Sequence, residues 1–214
     1  GKWLMLDLGI AFGDDSMPGV EVIMPDPAFI EERRKDLIGI VLTHAHEDHL
    51  GAVADLWPRL KAPVYAHKLA VKPLESGDKL RTFAEIEAQN IHMEMPPVKI
   101  DHTLEDGDKI TVGSRELEVW LTPGHTDSQL SFRMGDILFS GDNIYRDGCV
   151  GAIDAHHGSD IPAFIKSLER IRASDVKWLC PSHGPVFRKD NALLDKTIAR
   201  LNAYLHMADW GTCA

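Results

Sequence analysis

Four side chains of metal-binding type fall within six residues of this chain, in the segment Thr43-His44-Ala45-His46-Glu47-Asp48-His49. Residues 38–42 just before it form a continuous β-branched and aliphatic run, the pattern of a strand covered on both faces. If the segment is a loop at the C-terminal end of that strand, His44 and His46 lie on one side of the chain and share a metal. Asp48 and His49 then project toward a neighbouring position. Imidazole and carboxylate together suit zinc, with iron or manganese as substitutes.

The bulk properties narrow what such a cluster serves. At 214 residues the chain is long enough for one domain, 1–214, with a real core, and nothing in it marks a boundary or repeat. It is 44% hydrophobic and 26% charged, the balance of a water-soluble protein. No apolar run approaches the roughly 20 residues that cross a bilayer, so no membrane association is expected. Asp7 interrupts the early apolar run, which does not read as a signal peptide. The net charge of −10 weighs against nonspecific nucleic-acid binding. Cys149, Cys180 and Cys213 are odd in number and widely spaced, as reduced thiols in a cytoplasmic protein would be.

Periodicity sketches the rest. Strands are expected at residues 3–6, 20–24, 38–42, 64–66, 109–112, 115–121, 129–133, 136–139 and 176–179. Helices are expected at 29–35, 50–60 (as far as Pro58), 80–89, 161–171 and 190–206, with Ser159-Asp160 capping the fourth. Strands fill the middle and helices punctuate both halves, an α/β (α+β) arrangement of two sheets between helices.

One loop cannot complete two metal sites. Three further segments offer ligands, each after an expected strand: Pro123-Gly124-His125-Thr126, Ser140-Gly141-Asp142 and Ser182-His183-Gly184. Together with Thr-His-x-His-x-Asp-His, this set resembles the metallo-β-lactamase superfamily of hydrolases over nearly the whole chain. The resemblance implies an αββα sandwich and two Zn2+ ions. His44, His46 and His125 would hold the first metal, Asp48, His49 and His183 the second, and Asp142 would bridge them. It further implies a metal-bridging hydroxide as nucleophile, with Asp48 orienting it as the catalytic residue. Asp7, two residues before Gly9, would support the ligands without binding metal.

A narrower likeness concerns residues 1–65. Asp7-Leu8-Gly9, Pro25-Asp26-Pro27 and His44-Ala45-His46-Glu47-Asp48-His49-Leu50-Gly51 are similar to bacterial ribonuclease J. That family carries a large β-CASP insertion after the Asp of the Gly-Asp turn, whereas here 40 residues (183 − 142 − 1) separate Asp142 from His183. From about residue 104 the chain looks more like the small-molecule hydrolases of the superfamily. The chain opens at Gly1-Lys2-Trp3 without the strands that usually precede this point, as a fragment or fused sequence would. The expected substrate is a small ester-like molecule, thioester, lactone or β-lactam. A ribonuclease J-like phosphodiesterase is the alternative, with nucleic acid the less favoured partner. A mononuclear iron persulfide dioxygenase also uses this fold, but it needs an incomplete second ligand set, and Asp48, His49 and His183 are all present. Arg146, His156 and His157, in the stretch after Asp142, are candidates for contacting an anionic substrate group.

Overall fold

The computed structural model describes residues 1–13, 16–20, 22–87, 91–154 and 158–207. In chain order it contains β1 (Trp3–Leu6), β2 (Ala11–Phe12), β3 (Val22–Ile23), α1 (Ala28–Glu31), β4 (Leu37–Val41), α2 (Glu47–Leu50), α3 (Val53–Leu60), β5 (Val64–His67) and α4 (Lys68–Ser76). There follow β6 (Glu85–Ile86), β7 (Ile91–His92), β8 (His102–Leu104), β9 (Lys109–Val112), β10 (Arg115–Leu121), β11 (Leu130–Met134) and β12 (Ile137–Gly141). The chain continues through α5 (Ile161–Ala173), β13 (Trp178–Pro181), β14 (Phe187–Arg188) and α6 (Asn191–Leu205).

Two sheets make up the centre. One is four-stranded and parallel, in the order β1-β4-β5-β8. The other is six-stranded, in the order β14-β13-β12-β11-β10-β9, antiparallel except where β12 and β13 run parallel. Three hydrophobic clusters define the layers. Alternation along β4 sends Ile40 to the cluster shared with α3 and α4, which contains Val53, Leu56, Leu60 and Leu74. Its neighbour Val41 faces the other way and meets Val119, Leu130 and Phe132 between the sheets. On the far side, Leu138 and Leu179 pack under Phe164, Leu168, Leu194 and Leu201 of α5 and α6. The order helix, sheet, sheet, helix is the expected αββα sandwich.

Several elements depart from the expectation. The helix expected over 80–89 is absent from its described part: Phe83 adopts φ +62, which stops the helical turn, and residues 85–86 pair with 91–92 as a small hairpin. The helix α4 was not anticipated, because Pro73 and scattered charges obscure its periodicity. Helix α1 ends at Glu31, and α3 runs through Pro58 to Leu60. The strand expected at 176–179 lies two residues later, as β13.

Candidate metal centre

The seven predicted ligands gather because each follows the C-terminal end of a strand. Thr43–His46 follow β4, and the Thr43 carbonyl accepts from Leu130 N–H at 2.8 Å, which ties the two sheets together beside the motif. Asp48 and His49 lie on the single turn α2. Asp142 and His183 come side by side because they leave the parallel neighbours β12 and β13. His125 sits on the turn after β10, where Gly124 has φ +146 and an added Cβ would stand 2.4 Å from the Phe164 backbone. Only glycine lets that turn pass under α5. Gly9 serves a similar purpose: a Cβ there would lie 1.6 Å from the Asp48 carbonyl oxygen. Its absence lets the Leu8 N–H donate to His49 O at 2.8 Å and the Leu8 carbonyl accept from Ala52 at 3.1 Å.

His44 Nε2, His46 Nδ1 and His125 Nε2 form a buried triangle with sides of 3.0, 3.1 and 3.2 Å. Tetrahedral ligands at the usual zinc–nitrogen distance would stand about 3.3 Å apart. The surrounding hydrogen bonds settle two of the tautomers. The Thr43 hydroxyl donates to Asp7 Oδ2 at 2.8 Å, so at 3.0 Å it must accept from His44 Nδ1–H, leaving Nε2 bare. His125 Nδ1 donates to the Ala152 carbonyl at 2.7 Å, which leaves its Nε2 bare as well. Bare lone pairs aimed at one another repel unless a cation sits among them. Burial, then the neighbouring imidazoles, pushes His44 well below its ordinary pKa, and burial also lowers His125.

A second set adjoins the first. His183 Nε2 is 3.0 Å from Asp48 Oδ2, and His49 Nε2 is 3.5 Å from the same oxygen. Asp142 Oδ2 lies 3.6 Å from His49 Nε2, 3.6 Å from His183 Nε2 and 3.7 Å from His125 Nε2, between the sets. His49 Nδ1 donates to Asp7 Oδ2 at 2.8 Å, so its Nε2 faces the carboxylates. Both His49 Nε2 and Asp142 Oδ1 are buried with no hydrogen bond, which a bound cation would remedy. Nitrogen and carboxylate donors, buried but open at His183 (49% exposed), fit a pair of transition-metal ions. Together His44, His46 and His125, then His44, His49 and Asp142, and Asp48, His49 and His183 form three groups whose donor atoms lie within 4.8 Å of one another.

All seven predicted ligand residues are thus brought together. Arg146 is exposed and lines a cavity of about 520 Å³ with Tyr145, Asp147 and His183. His156 and His157 lie outside the described residues. Three further residues were not singled out from sequence. The ring of Tyr145 stands 6.0 Å from that of His183, and burial and then Asp142 raise its hydroxyl well above the ordinary phenol range. The Phe83 ring meets His46 edge-on at 4.4 Å. Glu47, buried inside the motif, has its carboxyl pushed up to about 7 by burial and by Asp48. Only the positions of Tyr145, three residues after Asp142, and of Glu47, inside the motif, offered a signal.

Comparison with known proteins agrees with this geometry. A profile of the family described as Metallo-beta-lactamase superfamily matches residues 1–183. The chain belongs to the metallo-β-lactamase superfamily, a family of metal-dependent hydrolases. Among solved structures, TTHA1623 in a di-iron-bound form is 30% identical, with a TM-score of 0.62 over 88% of this chain and 91% of that one. The BLEG-1 B3 metallo-β-lactamase is 26% identical, with a TM-score of 0.63 over 84% and 87% of the two chains. Ribonuclease J of Sinorhizobium meliloti is 39% identical over 117 residues, 55% of this chain but 19% of that protein. Ribonuclease J 2 of Staphylococcus aureus is 40% identical over 80 residues, 37% of this chain and 14% of that protein. This chain therefore spans less than a fifth of the length of these curated relatives. Among the described residues, no helix is long and apolar enough to cross a membrane.

Proposed function

We propose that this chain is a dinuclear zinc-dependent hydrolase of a small ester-like, thioester, lactone or β-lactam substrate. The observation that carries the reading is the place of Asp142 Oδ2, 3.6–3.7 Å from nitrogens of both ligand sets. His44, His46 and His125 would hold one ion, Asp48, His49 and His183 the other, with Asp142 shared. Such a pair supplies a hydroxide at neutral pH and positive charge for the oxygen under attack.

The chain's own groups do the rest. Asp48 is 28% exposed beside His183, so it reaches the open side of the centre and accepts and passes on a proton there. The Tyr145 hydroxyl stays protonated and serves as a donor to developing negative charge. Tyr145→Phe should therefore lower kcat about 10- to 100-fold with KM little changed. Steady-state kinetics on the metal-loaded variant check this, and an unchanged kcat removes the role.

Proton competition distinguishes the two metal positions. At His49, burial favours the neutral ring, but Asp7, Asp142 and Asp48 outweigh it and raise its pKa well above the ordinary value. The hydrogen bond to Asp48 raises His183 against its burial. An ion entering that set must displace protons, so its affinity falls as pH drops through these raised values. His44 and His125 are lowered and already neutral, so the first set holds its ion to more acidic pH. On acidification from about pH 8 to about pH 6, one metal equivalent should leave before the other. Calorimetry in buffers of different ionisation enthalpy should find protons released on binding the second equivalent and almost none on the first. Equal proton release would contradict the assignment.

Support for a small substrate comes from the 40 residues between Asp142 and His183, within which α5 and β13 lie. The cavity beside His183, about 520 Å³, is of the size that takes small ligands. The partial likeness to ribonuclease J motivates the second reading, a phosphodiesterase acting on RNA. A panel of aryl ester, thioester, lactone, β-lactam and RNA substrates with the zinc-loaded protein decides between them. Hydrolysis of a carbonyl substrate, abolished by chelator, is expected; cleavage of RNA alone would overturn the reading. The unpaired thiols Cys149 and Cys180 support a reducing, cytoplasmic setting.

A further inference from the structure

We propose that Phe83 is a specificity-determining wall of the site, selecting substrates that carry an aromatic group next to the scissile bond; this rests on the hydrolase reading above. Among the described residues, two rings from outside the ligand cluster touch its imidazoles: Phe83 against His46, at 4.4 Å and 75°, and Tyr145 against His183, at 6.0 Å and 75°. His46 belongs to one ligand set and His183 to the other, so the two rings bound opposite ends of the centre.

The backbone holds Phe83 there against its own preference. Its φ of +62 is a conformation that phenylalanine rarely adopts. Its neighbours Thr82 and Ala84 are fully buried, while Phe83 is only partly buried. A residue recruited merely to fill the core would not need this inversion, because positions 82 and 84 already face the core. The turn is also fastened on several sides. Thr82 O accepts from Glu47 N–H of the ligand motif at 2.9 Å, and the Thr82 hydroxyl donates to Asp78 O at 2.9 Å. Arg81 pairs with Asp127 at 2.9 Å. The strained residue is therefore anchored directly to the metal-binding segment and to the turn that carries His125. A partly buried phenyl edge-on to a ligand imidazole offers a second aromatic ring the offset or edge contacts such pairs favour.

The test uses carboxylates as product-like probes of the zinc-loaded protein, phenylacetate and acetate, with dissociation constants from calorimetry. The wild type should bind phenylacetate about tenfold more tightly than acetate. In Phe83→Ala and Phe83→Gly that preference should fall to about twofold or less, while acetate affinity and metal content stay unchanged. Because glycine tolerates the left-handed backbone, Phe83→Gly should melt a few degrees above Phe83→Ala, roughly 2–4 °C. A wild-type ratio near one, a ratio unchanged in both variants, or the reverse order of melting would overturn the proposal. Loss of carbonyl hydrolysis with the binding ratio intact would count against the hydrolase reading and leave the wall standing.

Discussion

Asp142→Ala should lower kcat on the order of 10³-fold and cost at least one metal equivalent per chain. The reason is where this carboxylate sits. It is 4% exposed, its Oδ1 has no hydrogen bond, and its Oδ2 lies between nitrogens of both ligand sets. Burial works against its charge, yet the neighbouring imidazoles, His49 foremost and then His183, hold it far below the ordinary carboxylate range. Such an anion offers itself to cations on either side. Asp142→Asn keeps the shape but loses the charge, so it should retain the fold and lose metal and rate together. Metal content by plasma spectrometry and kcat by steady-state assay check both variants. Full occupancy with full rate in either one would remove the bridging role.

Asp7→Asn is the second large effect, and it acts without touching metal. Asp7 Oδ1 accepts from Thr43 N–H at 2.7 Å, while Oδ2 accepts from the Thr43 hydroxyl and from His49 Nδ1–H, both at 2.8 Å. Its φ of +60 is one that asparagine also tolerates, so the backbone should survive the change. The Thr43 N–H demands an acceptor, which turns the new amide nitrogen toward His49. An N–H facing Nδ1 selects the tautomer with its proton on Nε2, the nitrogen that faces Asp48 and Asp142. Metal affinity and rate should then fall about 10- to 100-fold, as for other residues that orient ligands. Asp7→Ala, which leaves Nδ1 to water, should be milder for the His49 tautomer but should lose the Thr43 anchor. Chelator competition measures the affinities, and nitrogen chemical shifts of His49 report the tautomer. Wild-type affinity in Asp7→Asn would show that this buried network does not orient the ligand.

The parts of this centre legible in the sequence are those whose signals are local. The spacing of His44, His46, Asp48 and His49 survives folding because a strand end and one helical turn hold it. The turns bearing His125, Asp142 and His183 could be found because each follows an apolar strand run. The sandwich followed from strand runs in the middle of the chain and from amphipathic helices such as α5, whose cap Asp160 accepts from Ala163 N–H. What could not be read depends on long-range contact. Leu80, Phe83, Ala84 and Ile86 have helical spacing, yet the left-handed Phe83 and the pairing of β6 with β7 override it. Helix α4 hides behind Pro73, and its N-cap is His67 rather than a customary serine or aspartate. The contacts of Tyr145 with His183 and of Phe83 with His46 bring together residues 38 and 37 positions apart (183 − 145 and 83 − 46), which no local pattern announces.

Two metal ions sharing Asp142 would sit one in each histidine-rich set. Anomalous scattering at the zinc edge from crystals of the zinc-loaded protein tests this arrangement most directly. Two peaks are expected about 3.5–4 Å apart, one beside His44, His46 and His125, the other beside Asp48, His49 and His183, with Asp142 between them. A single peak, or none after metal-replete preparation, would contradict it.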